Sequence, residues 1–312
     1  MSSEILKWTK NFPWGSRQSA LIILLPALLL VLVCGPACAA GDGSWQRSLL
    51  LQAPQEAGQP FASPLDLAVD LQRQRYYIID ALAAMITAFN DQGTMISRFN
   101  ANGALRRPVA MVRDQGDYLW VADRGVNRLL HISLKTKLVD SLALTNLLGG
   151  FIVPDRLAID TRNNLYVLDL LSGRVIKYNR EQISVATFTT PHGGKGFIDM
   201  KLKNEEVWAL DGLGRTISVF NLNGDLLRTI SLPQQLKFPV SFEVDRAGAL
   251  YILDRHTGEI VVCDRSGRLR YTFMTRGKHA GQLAYGSRLL FDWQGNLCVA
   301  DEANGRVEVL SR

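Results

Sequence analysis

The sequence predicts an all-β protein, a six-bladed β-propeller of four-stranded blades whose ring is closed by an N-terminal strand. Three observations predict it. An aromatic-apolar-x-Asp phrase recurs with its aspartate at Asp80, Asp123, Asp169, Asp211, Asp254 and Asp301, at spacings of 42 to 47 residues. A second landmark precedes each aspartate by 15 or 16 residues: Pro64, Pro108, Pro154, Gly196, Pro239 and Gly286. The last unit, "GNLCVADEANGRVEVLSR", stops one strand short, while an apolar segment ahead of the first unit has no blade of its own.

Each unit is read in the same order. After the landmark comes an apolar run ending in an acidic turn, as in "LAVD", "LAID" and "FEVD". The second strand carries Tyr77, Trp120, Tyr166, Trp208, Tyr251 or Cys298 at one position, a slot for packing between blades. The recurrent aspartate closes the next turn, where its carboxylate can accept backbone N–H groups. Arg128, Arg174, Arg215 and Arg306 then open a third strand, and a variable fourth strand follows. Four short strands every 40 to 47 residues is the period of propeller blades.

The phrase Pro-x-x-ϕ-A-ϕ-D, then ϕ-Y-V-x-D-x-x-N-x-R-ϕ, then N-x-x-G, over residues 60–312, resembles the NHL repeat family. That resemblance implies a six-bladed propeller and a range of roles, from binding platforms and sensor domains to occasional enzymes. The chain departs from the pattern two positions after the landmark, where a small residue is usual. It has Asp66, Ala110, Arg156, Ile198, Ser241 and Arg288 there.

Closure follows from the ends. The segment "QRSLLLQAPQEAGQPFAS" begins at Gln46, 18 residues before Pro64, as the fourth strand of unit five begins at Arg268, 18 residues before Gly286. Each contains an apolar strand and then a Gly-Gln pair, Gly58-Gln59 and Gly281-Gln282. A strand over about residues 46–52 therefore completes the last blade. An open sheet edge invites aggregation, so a covered edge is expected.

Residues 1–39 are read apart from the propeller at 40–312. Ala20 to Val33 is almost wholly apolar, follows Lys7, Lys10 and Arg17, and precedes Ala37-Cys38-Ala39. This is the layout of a cleaved signal peptide for a periplasmic or extracellular protein, with a retained, outward-facing membrane anchor as the alternative. Cleavage leaves 32 basic against 28 acidic side chains, a formal charge of +4. No block of like charge stands out, so nucleic acid is not expected as a partner. Of the mature cysteines, Cys298 takes the aromatic slot and Cys263 the one shared by Tyr178 and Phe220. Export permits a bridge between them, although each fits a packing position of its own.

Chemistry is sparse. His131, His192, His256 and His279 occupy different repeat positions, and no Cys/His spacing marks a zinc or haem site, so no metal, cofactor or catalytic residue is assigned. Asp199 and Glu243 fall on innermost strands, where a basic partner, a bulge in blade four, or calcium could account for them. The loop entering strand one and the turn between strands two and three emerge at one end of a blade. That end carries Arg106, Arg107, Arg156, Lys195, Lys237, Arg255 and Arg288, against Asp66, Asp155 and Glu302. Either this is a solvated basic rim, or it receives another protein or an anionic ligand at the channel mouth. The residues therefore point to a non-catalytic binding scaffold. The alternative is a channel-centred, metal-dependent lyase or lactonase-like hydrolase, which the resemblance also allows.

Overall fold

The computed structural model describes residues 44–53 and 61–312, so the N-terminal apolar segment and Gly58-Gln59 lie outside the described residues. A first strand, β1 (Gln46–Leu51), precedes the blades. Blade one is β2 (Pro64–Asp70), β3 (Arg75–Asp80), β4 (Met85–Phe89) and β5 (Met95–Phe99). Blade two is β6 (Pro108–Arg113), β7 (Tyr118–Asp123), β8 (Arg128–Ser133) and β9 (Val139–Leu142). Blade three is β10 (Pro154–Ile159), β11 (Leu165–Asp169), β12 (Arg174–Tyr178) and β13 (Ser184–Phe188). Blade four is β14 (Asp199–Lys203), β15 (Glu206–Asp211), β16 (Thr216–Asn221) and β17 (Leu226–Ser231). Blade five is β18 (Pro239–Val244), β19 (Leu250–Asp254), β20 (Glu259–Cys263) and β21 (Leu269–Phe273). A two-residue parallel pair, β22 (Thr275–Arg276) and β23 (Gln282–Leu283), sits in the next connection. Blade six is β24 (Gly286–Phe291), β25 (Leu297–Asp301) and β26 (Arg306–Ser311).

Blade six gains its fourth strand from the other end of the chain. β1 pairs antiparallel with β26, from Gln46 opposite Ser311 to Leu51 opposite Val307. Leu51 is fully buried among Phe61, Val307 and Val309. Trp45 adds a clasp: it stacks on Phe273 at 5.6 Å, and the Arg312 guanidinium lies over it at 4.7 Å. All six blades and the closing strand fall in one compact unit, Asp42–Arg312.

The core is a set of slabs between neighbouring blades. Tyr77 and Ile79 of blade one pack on Met111 and Val121 of blade two, and a comparable cluster fills every other junction round the ring. Alternation along each strand sends one residue to either neighbour, which is why three of the six second strands are buried from end to end. Cys263 belongs to the slab between blades four and five, and Cys298 to that between six and one. The two thiols therefore face different slabs and are both free. Burial pushes the Cys263 thiol up to about 12 and Cys298 well above its ordinary value. Cys298 is small for its slot, and Tyr76 of blade one occupies the same slab, its ring 4.7 Å from Trp293.

The recurrent aspartates tie each blade together at one end. Asp123 accepts hydrogen bonds from the Arg106 and Arg107 amides at 2.7 and 2.9 Å, and from Gly125 N–H in its own turn at 2.8 Å. Asp80 holds the Ala62 and Ser63 amides, and Asp301 those of Ala284 and Tyr285, in the same way. A carboxylate can accept several such bonds, and each charged one contributes about 1.5–3 kcal/mol.

Blade four corrects one alignment. Its first two strands join through Asn204 and Glu205 alone, both at positive φ (51° and 58°), where the other blades use longer turns. One residue is thereby lost between strands one and two. The position facing Leu210, equivalent to Asp66 facing Ile79, is then Asp199 and not Ile198. Blade four is also the blade without the register shift that follows the landmark elsewhere, so a bulge there does not explain Asp199. Gly196 meets Gly173 of blade three back to back: a Cβ on Gly173 would lie 2.5 Å from the Gly196 Cα.

Candidate functional site

The first strands, β2, β6, β10, β14, β18 and β24, contact their neighbours all the way round and line the channel. One ring of positions, two residues past the landmark in five blades and three past Gly196 in blade four, holds Asp66, Ala110, Arg156, Asp199, Ser241 and Arg288. Innermost strands have an unpaired edge, and the polar members of this ring cap it. Asp66 Oδ2 accepts from Met111 N–H at 2.8 Å and Asp199 Oδ2 from Phe242 N–H at 3.1 Å. Ser241 Oγ accepts from Leu289 N–H at 3.2 Å while donating to Asp199 Oδ2 at 2.7 Å.

The ring's charges neutralise one another. Arg288 binds Asp199 through one terminal nitrogen and places its Nε 3.0 Å from Asp66 Oδ1. Arg156 Nε lies 4.0 Å from Asp199 Oδ1. The next ring towards the far end supplies Lys201, whose Nζ is 3.3 Å from Glu243 Oε2 and donates to Leu289 O at 2.8 Å. Three acids thus face three bases in the channel, and Asp66, Asp199, Lys201 and Arg288 are all buried.

The two aspartates are held unequally. Burial raises the Asp199 carboxyl, but Arg288, Lys201 and Arg156 together outweigh burial and keep it below the ordinary range. At Asp66 burial wins over Arg288 and Arg156, and the carboxyl is pushed up. Geometry accounts for the difference. Asp199 also accepts from Ser241 and from the Met200 and Phe242 amides, whereas Asp66 Oδ1 has no aligned donor. Burial works against the Arg288 charge, yet Asp199, Asp66 and Glu243 hold it firmly protonated.

The residues assigned to the mouth from sequence therefore separate. Asp66 and Arg288 are not on the rim but buried in the channel, and Arg156 lies beside them, because positions after the landmark run inward along the first strand. Arg106, Arg107, Lys195 and Lys237 precede the landmark and are exposed on the rim. None of these four forms an ion pair among the described residues. Arg255 is in between: it binds Glu302 and lies over the Tyr285 ring at 4.7 Å. A depression of about 380 Å³ opens there, lined by Lys237, Phe238, Arg255, His256, Arg276 and Tyr285.

Two contributors had gone unseen. Lys201 was hidden by the shifted frame of blade four, and its signal is the alternation of charged and apolar residues along a first strand, "IDMKLK". The exposed leucines of the mouth turns were also missed, although an apolar residue two places after a turn aspartate is itself a signal.

A metal would need carboxylates or imidazoles free to converge. Among the described residues no three such side chains do so, and the channel carboxylates are already taken by Arg288, Arg156 and Lys201. His131 lies away from the channel on β8, stacked on Trp120 at 4.1 Å and Tyr118 at 4.4 Å. His256 and His279 are exposed at the mouth. These donors do not fit a zinc or calcium centre.

Neither a protein-family model nor a curated protein sequence matches the chain. Solved structures do resemble it. A streptogramin B lyase superposes with a TM-score of 0.63 at 14% identity, covering 84% of this chain and 96% of that one. Virginiamycin B lyase from Staphylococcus aureus gives 0.62 at 13%, covering 85% and 98%. A gluconolactonase from Xanthomonas campestris gives 0.61 at 13%, covering 85% and 96%. These similarities establish the six-bladed propeller, and at such identities they establish the fold alone.

Proposed function

We propose that this protein is an exported, NHL-type propeller that acts as a non-catalytic binding scaffold, engaging an anionic partner through its mouth. One observation carries the reading. The channel's ionisable groups are consumed by one another, while unpaired Arg106, Arg107, Lys195 and Lys237 stand exposed at the same end. A channel carboxylate paired with a buried base is not free to serve a substrate as base or ligand. The repeat phrase supports the NHL assignment, and the apolar segment before Ala37-Cys38-Ala39 supports export with a mature start at Ala40 or Gly41.

The alternative is a channel-centred lyase or lactonase, in keeping with the activities of the structurally similar enzymes. Incubation with gluconolactone and with quinupristin, with and without zinc, magnesium or calcium, separates the two. The scaffold reading expects both compounds to be recovered intact. Turnover that a chelator abolishes would replace it with the enzyme reading.

A further inference from the structure

We propose that the mouth docks on an anionic lipid surface, with apolar side chains of four blades entering the headgroup boundary. This rests on the mouth being the binding face and names its occupant. Leu82, Leu171 and Leu213 each stand two residues after a recurrent aspartate, in blades one, three and four, and are 70%, 68% and 70% exposed. Blades repeat one register about one axis, so equivalent turn positions lie at one height. The three leucines therefore define a plane across the mouth, to which Val126 of blade two and Leu170 of blade three add. Exposed apolar groups in such a concentration mark an interaction surface.

Blade three contributes most of these side chains. Its entering loop carries Leu147, Leu148 and Phe151, and Leu148 is 96% exposed. That loop is an ordered turn. Asn146 Oδ1 accepts from Leu148 N–H and Gly150 N–H, both at 2.9 Å, and Thr145 bridges to Phe151. The leucines are held outward at no further ordering cost on docking.

Shape and charge choose the occupant. These side chains stand on convex turns of separate blades, so a globular partner would need a matching hollow at each. The boundary of a bilayer is deformable and accepts apolar side chains wherever they meet it. Arg106, Arg107 and Lys195 flank them without ion pairs among the described residues. Apart from the recurrent aspartates, the carboxylates at this end are Asp155 and Glu302, engaged by Arg124 and Arg255, and Glu259 at the start of β20, in blade five. The surplus is positive, which favours anionic headgroups and sets like charges opposed in any pairing of two copies through this face.

Residues 40–312 hold every strand of the ring, so this form, free of the apolar N-terminal segment, is the one to test. It is sedimented with vesicles of equal parts phosphatidylcholine and phosphatidylglycerol, and with phosphatidylcholine alone. Binding to the anionic vesicles is expected, weakened about tenfold on the neutral ones. Leu148→Asp with Leu171→Asp is expected to weaken it about tenfold or more at an unchanged melting temperature. Leu138→Asp with Ile183→Asp, in turns at the opposite end, is expected to change nothing. Protein left in the supernatant by anionic vesicles at low salt overturns the lipid surface and leaves a protein as the occupant of the mouth. Loss of binding through the opposite-end pair alone overturns the mouth assignment as well.

Discussion

Arg106 and Arg288 each lie two residues from a blade landmark at the same end of the propeller, yet they belong to different regions. Arg106 comes before Pro108, on the loop that climbs over the rim, and meets solvent. Arg288 comes after Gly286, on the strand descending the channel, and is buried between Asp66 and Asp199. The lesson is positional. In this fold the side of the landmark on which a charge falls decides whether it holds the ring together or meets solvent. Channel charges are costly to disturb because burial makes an orphaned charge expensive. Rim charges cost little to remove, since water already screens them.

The sharpest contrast lies within the channel. Asp199→Asn is expected to destabilise by about 3 kcal/mol at neutral pH, because it strips the main partner from Arg288. Folding depresses the Asp199 carboxyl, so its contribution is present above its ordinary value of 3.8 and fades as pH falls through the depressed one. Folding raises Asp66, so its contribution is fullest below 3.8 and is lost as pH rises through the raised value. Asp66→Asn should therefore cost clearly less than Asp199→Asn at neutral pH. Urea unfolding at neutral pH and near pH 4 checks both. Equal costs for the two variants at every pH would erase the distinction.

Removing rim charges should do almost nothing to the fold. Arg106→Ala with Lys195→Ala is expected to shift unfolding by no more than about 0.5 kcal/mol. The same pair should weaken binding to the anionic vesicles by about fivefold per charge, an effect that salt reduces. Thermal melting beside vesicle sedimentation reads both. A large melting shift would place these residues with the channel instead.

The architecture was legible because it repeats. Six aspartates with a structural task in every blade announce themselves, and the segment from Gln46 declared its place by lacking a blade. Roles inside the channel were not legible, since they depend on one residue of register. A two-residue hairpin at Asn204 and Glu205 moved Asp199 into line with Asp66, a change that landmark counting passes over. Arg156 and Arg288 looked like rim residues because charge count alone does not show which way a first strand runs. The leucine plane escaped because turns are searched for polar residues, and Leu82, Leu171 and Leu213 sit where a polar one would cause no remark.

The division between channel and rim is tested most directly by a double-mutant cycle on Arg288 and Asp199. Arg288→Met, Asp199→Asn and the double variant are unfolded in urea beside the parent. The buried pair should yield a coupling of about 2 kcal/mol or more, with the double variant more stable than the sum of the single losses implies. A coupling near zero, with the two losses simply adding, would contradict the view that the channel charges hold one another.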